Sequence, residues 1–292
     1  MTTSEFLRRI GLEEAPAGPS VEGLFALQRA FVVSVPYESI QYQLGRGGPL
    51  DQRAVVERMI TREAGGYCFQ MNGAFGWLLD ELGYDVTMHR GGVQTRTAPE
   101  PRVDSTHLVL TVTGLPEEPE RVWLVDAGLG DGFLEPMPLE VGATSRQTPY
   151  GFSLGPSSIT TGWRLEHDAR SVIAGMDFEA APATIGDFAE QHAYLSTSPS
   201  SPFVRVASAF LRRPESALAL RSTELAETFA DRIDTTLLET PAEYYAVLAD
   251  VFQLPLQHLT AADRDQLWRR VVEQYESYQA RIAAAGDQPG QV

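Results

Sequence analysis

The chain has one cysteine, Cys68, among 292 residues. A single thiol excludes an internal disulfide framework and any zinc site built on several cysteines, and it fits a reducing, cytoplasmic compartment. No apolar run approaches the length of a membrane span, and the start Met1-Thr2-Thr3-Ser4-Glu5 lacks the basic and apolar regions of a secretory leader. Basic residues are also scarce: 23 Lys and Arg stand against 39 Asp and Glu, a net charge of −16. Such a field repels nucleic acid as a partner. It also repels an anionic substrate, so any phosphate-bearing ligand would need a local basic patch. Internal repeats, low-complexity tracts and phosphate-binding glycine loops are absent. What remains is 43% hydrophobic and 21% charged, a globular composition with enough apolar residues for a real core.

The lone cysteine sits in the most informative stretch, Gly65-Gly66-Tyr67-Cys68-Phe69-Gln70-Met71-Asn72. From Cys68, the positions Asn72, Phe75, Leu79 and Leu82 follow at steps of four, three, four and three. That spacing predicts a helix with Cys68 in its first turn, on the inner face. Asp80 and Glu81 read as the wet side and Gly83 as the stop. A helix start favours negative charge, and the thiolate is the nucleophilic form of cysteine. Most lone cysteines are small core hydrophobes, and this stretch alone favours that role.

The balance changes with the strands downstream. Ser105 to Val112 is rich in β-branched residues, with Leu108, Leu110 and Val112 on one face and His107, Val109 and Thr111 on the other. After an acidic turn, Arg121 to Asp126 forms a second strand, closed by Ala127-Gly128-Leu129-Gly130. Two strands this close form an antiparallel hairpin, with His107 and Asp126 at the same end. An imidazole can convert a thiol to a thiolate, and a carboxylate can fix the ring tautomer. A backbone N–H at the helix start can serve a developing oxyanion. Cys68, His107 and Asp126 are therefore the candidate catalytic residues.

Around these elements, residues 1–34 read as two helices, the first ended by Gly11 and the second capped by Ser20. Val35-Pro36-Tyr37-Glu38 reads as a turn, with Glu38 solvated or paired to an arginine such as Arg9. Residues 51–62 read as a helix. A strand from Val86 is expected to end at Gly91-Gly92, with a loop from Thr95 to Asp104. The all-β stretch 137–180 suggests a central barrel between helical segments. Ser196 to Phe203 reads as a linker or turn, and Val204 to Arg212 and Ala217 to Arg221 as strands. Thr240-Pro241-Ala242-Glu243 is a capping-box start. A last helix, Ala261 to Ala285, should turn Leu267, Val271 and Tyr278 inward, before a frayed tail from Gly286 to Val292.

At these residues the chain resembles the arylamine N-acetyltransferase family. That family's nucleophile motif is Arg-Gly-Gly-x-Cys-x-(Glu or Gln)-x-Asn, and here it stands as Ala64-Gly65-Gly66-Tyr67-Cys68-Phe69-Gln70-Met71-Asn72. Its histidine opens a strand, as in Ser105-Thr106-His107-Leu108, and its aspartate is matched by Leu124-Val125-Asp126-Ala127-Gly128-Leu129-Gly130. Arg9-Ile10-Gly11, the Val35 to Glu38 turn and the Ser196 to Phe203 loop also look like the family's, so matches run from about residue 6 to 205.

The resemblance implies an α+β, three-part fold: a helical bundle over 1–84, a β-barrel over 85–190 and an α/β lid over 191–292, with a papain-like Cys-His-Asp triad. It implies ping-pong acyl transfer from acetyl-CoA or another acyl thioester to an arylamine, hydrazine or hydroxylamine. No permanent cofactor and no metal are implied. Gly128, Leu129 and Gly130 are the implied contacts for the thioester donor, and Tyr37, Phe69 and Phe203 those for the substrate. An alternative is an amide synthase that releases a chain from an acyl carrier protein. Thioester hydrolysis and a non-catalytic binding relative complete the set. The one departure is Ala64 in place of the family arginine, which Arg62 or Arg9 could cover.

Overall fold

The computed structural model describes residues 2–286. Four helices open the chain: α1 (Thr3–Arg9), α2 (Val21–Ser34), α3 (Gln52–Thr61) and α4 (Cys68–Glu81). Their starts are set locally. Ser20 Oγ accepts from the Gly23 N–H of α2, and Asp51 Oδ1 accepts from the Ala54 N–H of α3. α4 has no side-chain cap. It is buried on every side from Cys68 to Gly76, so it is a central helix and not one with a single inner stripe. Phe6, Leu24, Phe31 and Met59 close the core around it. Between α2 and α3 lie the two-residue strand β1 (Tyr37–Glu38) and a 3₁₀ turn, Ile40–Leu44.

The middle of the chain forms β2 (Asp85–Thr95), β3 (His107–Thr113), β4 (Trp123–Val125), β5 (Met137–Pro138), β6 (Thr144–Gln147), β7 (Tyr150–Pro156), β8 (Trp163–His167) and β9 (Ile173–Ala183). They make one antiparallel sheet in the order β5-β4-β3-β2-β9-β8-β7-β6. The sheet curls into a nearly closed barrel, because Val109, Leu124, Met137, Phe152, Leu165 and Phe178 from most of its strands share one core. Across the open seam, the Gln147 carboxamide of β6 accepts from the Leu134 and Glu135 N–H groups and donates to the Glu135 carbonyl. Gly91 and Gly92 do not end β2. The strand runs through them with a register shift, and a Cβ at Gly92 would collide with the Arg102 backbone.

The last third holds α5 (Ala189–Thr197), α6 (Pro202–Arg205), β10 (Ser208–Arg212), β11 (Ala217–Arg221), β12 (Glu224–Thr228), β13 (Ile233–Leu237), α7 (Pro241–Ala246) and α8 (Ala261–Gly286). The second sheet runs β1-β10-β11-β12-β13. The Tyr37–Glu38 segment is therefore not a free turn. It pairs with β10, Tyr37 opposite Phe210 and Glu38 opposite Ala209. The stretch from Ser196 to Phe203 is not a linker either: Ser201 is fully buried, donates to the Leu195 carbonyl at 2.6 Å and caps α6. α6 takes the expected strand up to Arg205, so β10 begins at Ser208. The Thr240 capping box is present. Leu267 and Val271 are buried, but Tyr278 faces outward at 48% exposure. Gly286 closes α8, and the remainder of the expected tail, 287–292, lies outside the described residues. No helix among the described residues is long and apolar enough to cross a membrane.

Gly65 and Gly66 pack the turn before α4 against β1. Gly66 bridges Tyr37, and its carbonyl accepts from the Glu38 N–H at 2.9 Å. A Cβ on Gly65 would be driven into the Pro36 carbonyl oxygen. Gly65→Ala should therefore lower stability by about 3 kcal/mol, as overpacking against rigid backbone does, measured by urea unfolding.

Candidate active site

The two glycines bring the chain close under Pro36 and start α4 at Cys68. Tyr67 is the N-cap residue but supplies no side-chain cap to the first-turn amides. The Tyr37 hydroxyl lies against the Cys68 backbone N–H. Cys68 is 3% exposed, and its Sγ is 3.4 Å from the Thr106 carbonyl.

His107 opens β3. Its Nε2 is 2.7 Å from Asp126 Oδ2, with both side chains buried. The hairpin register explains the contact. Val125 pairs with Leu110, so Asp126 falls beyond the last pair and diagonal to His107. With Nε2 committed to the carboxylate, Nδ1 is the nitrogen left for the Cys68 thiol, which also hydrogen-bonds the ring. Burial opposes a charged ring here. The Asp126 charge and hydrogen bond, with Cys68, outweigh it and push His107 up to about 10. Cys68, His107 and Asp126 are thus brought together, with the imidazole favoured in its protonated form.

Asn72 holds this group in place, a role its position on the inner face signalled only as a polar residue in an apolar stripe. Its Nδ2 donates to Asp126 Oδ1 at 2.9 Å and to the Leu108 carbonyl at 2.6 Å, and its Oδ1 accepts from the Ala127 N–H at 2.7 Å. The Gly128 N–H also donates to Asp126 Oδ1, at 2.7 Å. That amide is therefore engaged by the carboxylate. Gly128 must be glycine because a Cβ would sit 3.0 Å from both the Cys68 Cα and its carbonyl oxygen.

Leu129 and Gly130 line a cavity of about 10 Å³ with Tyr37, Met71, Asp126 and Phe210. Its aromatic wall continues through Phe203, which stacks on Tyr67 at 4.7 Å and meets Tyr37 at 6.2 Å. Tyr37 and Phe203 thus border the site, whereas Phe69 is fully buried between Tyr67 and Phe188 and its ring is used in packing. Tyr67 is itself anchored: its hydroxyl meets His192 Nδ1, and His192 Nε2 donates to the Gly48 carbonyl at 3.0 Å.

The loss of arginine at position 64 is made good from neither Arg62 nor Arg9. Arg9 donates to the Met59 and Ser34 carbonyls. Arg58 on α3 fills the place: Nη2 donates to the Gly65 carbonyl at 2.6 Å, and Nη1 donates to Gln41 and lies 3.7 Å from Glu38 Oε1. Burial raises the Glu38 carboxyl, and Arg58 with the Ile40 N–H draws it back down. Among the described residues, no group of three or more His, Cys, Asp and Glu side chains could hold a metal ion.

This geometry has close counterparts. A family model described as N-acetyltransferase matches residues 20–261. The chain belongs to the arylamine N-acetyltransferase family. Human arylamine N-acetyltransferase 1 is 27% identical over 88% of this chain and 95% of its own, and the Mycolicibacterium smegmatis enzyme is 28% identical over 90% and 95%. The arylamine N-acetyltransferase of Mycobacterium marinum superposes with a TM-score of 0.83 at 27% identity, covering 92% of this chain and 98% of that one. The same protein has been solved in complex with CoA, at a TM-score of 0.82, 27% identity and the same coverage. The α+β architecture of the family is therefore the fold of this chain.

Two substitutions test the electrostatics. In Asp126→Asn the His107 titration midpoint, followed by NMR of the imidazole, should fall well below 10. The sign follows from the raised pKa: the His107 contribution to stability is full below its unfolded value of about 6.5 and is lost as pH rises through about 10. The destabilisation should accordingly be largest below about 6.5, shrink as pH rises from there and vanish above about 10. Arg58→Met leaves Glu38 buried and unpaired, at a cost of about 3 kcal/mol near neutral pH. That cost should decrease as pH falls and Glu38 takes up a proton, as denaturant melts at several pH values will report.

Proposed function

We propose that this chain takes an acetyl group from acetyl-CoA onto Cys68 and passes it to an arylamine, a hydrazine or a related amine. The observation that carries the reading is the buried Cys68, His107 and Asp126 group at the start of α4, in a chain of this family. In the first half-reaction the Cys68 thiolate attacks the thioester carbonyl. The carbon–sulfur bond to CoA breaks, and His107 gives its proton to the leaving thiolate. In the second, the amine attacks the acetyl-cysteine carbonyl, His107 accepts the amine proton and the Cys68 thiolate departs. The first-turn amides and the Tyr37 hydroxyl supply donors where the oxyanion forms.

Tyr37 and Phe203, joined by Phe210, are the side chains against which an aromatic amine would pack. We divide the labour as a helical part, 1–84, carrying the nucleophile, a barrel, 85–190, carrying its base and carboxylate, and a lid, 191–292, carrying Phe203 and Phe210. β1 crosses that division. The single thiol suits a reducing, cytoplasmic setting. No relative or contact speaks for a carrier-protein donor or an amide-synthase reaction, so CoA is the donor of this reading.

Intact mass after brief incubation with acetyl-CoA, without amine, is the direct test. The protein should gain one acetyl group and lose it on adding an arylamine. Cys68→Ala should gain none and turn over at least about a thousandfold slower. Acetylation that persists in Cys68→Ala would overturn the assignment.

A further inference from the structure

The second sheet ends on a strand with an open side. β13 pairs with β12 and, among the described residues, has no strand beyond it. All five of its residues are exposed, Ile233 at 52% and Leu237 at 42%. Open edges are usually blunted by lysine, proline or a bulge. β13 reads Ile-Asp-Thr-Thr-Leu, and its register runs without a shift from Ile233 opposite Thr228 to Leu237 opposite Glu224. Its one charge, Asp234, is held by Arg232 at 3.0 Å. Both ends of the strand are pinned. At the turn, Arg170 of the barrel donates to the Phe229 and Ala230 carbonyls. At the far end, Leu238 is buried in the lid core. The edge is therefore a fixed template, and little ordering remains to oppose pairing.

Two bonds at the ends of the β12–β13 hairpin fix which backbone groups face outward. The Phe229 N–H donates to the Arg232 carbonyl at 2.8 Å, and the Leu238 N–H donates to the Thr223 carbonyl at 2.9 Å. Bonded and non-bonded positions alternate along an antiparallel pair. Arg232, Asp234, Thr236 and Leu238 therefore turn their N–H and C=O groups toward β12, and Ile233, Thr235 and Leu237 turn theirs outward. This outward set is self-complementary. Two antiparallel copies of β13, related by a two-fold axis at Thr235, set Thr235 opposite its own copy and Ile233 opposite Leu237. Each such pair exchanges both N–H···O bonds. On that face isoleucine meets leucine on either side of the axis. On the other face Asp234 lies opposite Thr236, so no like charges oppose directly. The two Asp234 side chains are diagonal neighbours, and each carries its own Arg232.

We infer that β13 is the interface for a second copy of this chain, the two five-stranded sheets joining edge to edge about Thr235 into one continuous antiparallel sheet. The catalytic residues take no part in it. β1 and β10, which carry Tyr37 and Phe210, lie at the opposite edge of the sheet, so each copy keeps its own site. Five paired residues a side make a small interface, which sets the dissociation constant at about 1–100 µM.

Sedimentation equilibrium of the full chain, from about 1 to 300 µM, is the test. The mass should rise toward that of a dimer, and a chain that stays monomeric throughout overturns the inference. Thr235→Pro removes the central outward N–H and leaves the bonds to β12 in place. Thr235→Lys sets like charges across the axis. Each should raise the Kd by about tenfold or more, with a thermal melt confirming the fold. A dimer that persists unweakened in both variants would place the interface elsewhere. Introduced cysteines read the register. On oxidation Thr235→Cys should form an intermolecular disulfide, whereas Ile233→Cys and Leu237→Cys should not, since neither lies opposite itself. Equal cross-linking at all three positions would overturn the two-fold pairing. Salt separates this edge from a contact between oppositely charged patches. Each copy carries a net charge of −16, so screening should strengthen the edge pairing. Dissociation by salt would assign the association to charge and overturn the inference.

Discussion

The buried carboxylate of Asp126 is the constraint on which the site depends. It is 1% exposed, and an isolated charge so placed would be several kcal/mol unfavourable. Its two oxygens are fully engaged. Oδ1 accepts from Asn72 on α4 and from the Gly128 amide, and Oδ2 faces His107 on β3. The partners come from the helical part and from the barrel, so the carboxylate bolts the two together while it orients the ring. Asn72 stands four residues after Cys68 on the same helix, one turn along. The residue that fixes the carboxylate is thereby built on the element that carries the thiol, and an error in docking α4 against the hairpin would break both at once.

A second buried charge repeats this logic at the seam with the lid. Glu38 belongs to β1, which pairs with β10, and its partner Arg58 comes from α3. The guanidinium also grips the Gly65 carbonyl, immediately before the turn into α4. An arginine at position 64 would reach that carbonyl's surroundings from within the loop. Arg58 reaches them from a helix whose backbone is already fixed, and Ala64 then needs only to be small and buried. Replacing the motif's arginine therefore alters which element braces the loop without removing the brace.

What could be read in advance follows from the range of the interactions. The α4 stripe, the Ser20 and Thr240 caps, and the His107–Asp126 hairpin all arise within about 20 residues of chain, where periodicity and turn chemistry act directly. The pairing of Tyr37 with Phe210 joins distant segments, and two residues carry no period, so a turn was the natural reading. β12 and β13 left no alternation to read because their outer strand is exposed on both faces. Gly91 and Gly92 looked like a stop because a glycine that ends a strand and one that admits a crossing backbone are the same letter. The triad types were legible. Arg58 as the brace was not, because its partners are gathered only once α3 packs against the loop.

An acetyl-cysteine is open to water as well as to amines, so transfer requires that the amine be favoured. The cavity beside Asp126 is about 10 Å³, room for little more than a single water, and Cys68 itself is nearly sealed. On the function proposed above, an acceptor is admitted by its own contacts with Tyr37, Phe203 and Phe210, which are only partly buried. An aromatic ring gains from leaving water for that wall, by about 2–4 kcal/mol for partial burial, and water gains nothing there. That difference favours the aromatic amine by up to roughly a thousandfold per encounter. In that proposed function the same rings that close the site against hydrolysis are the ones that select the acceptor.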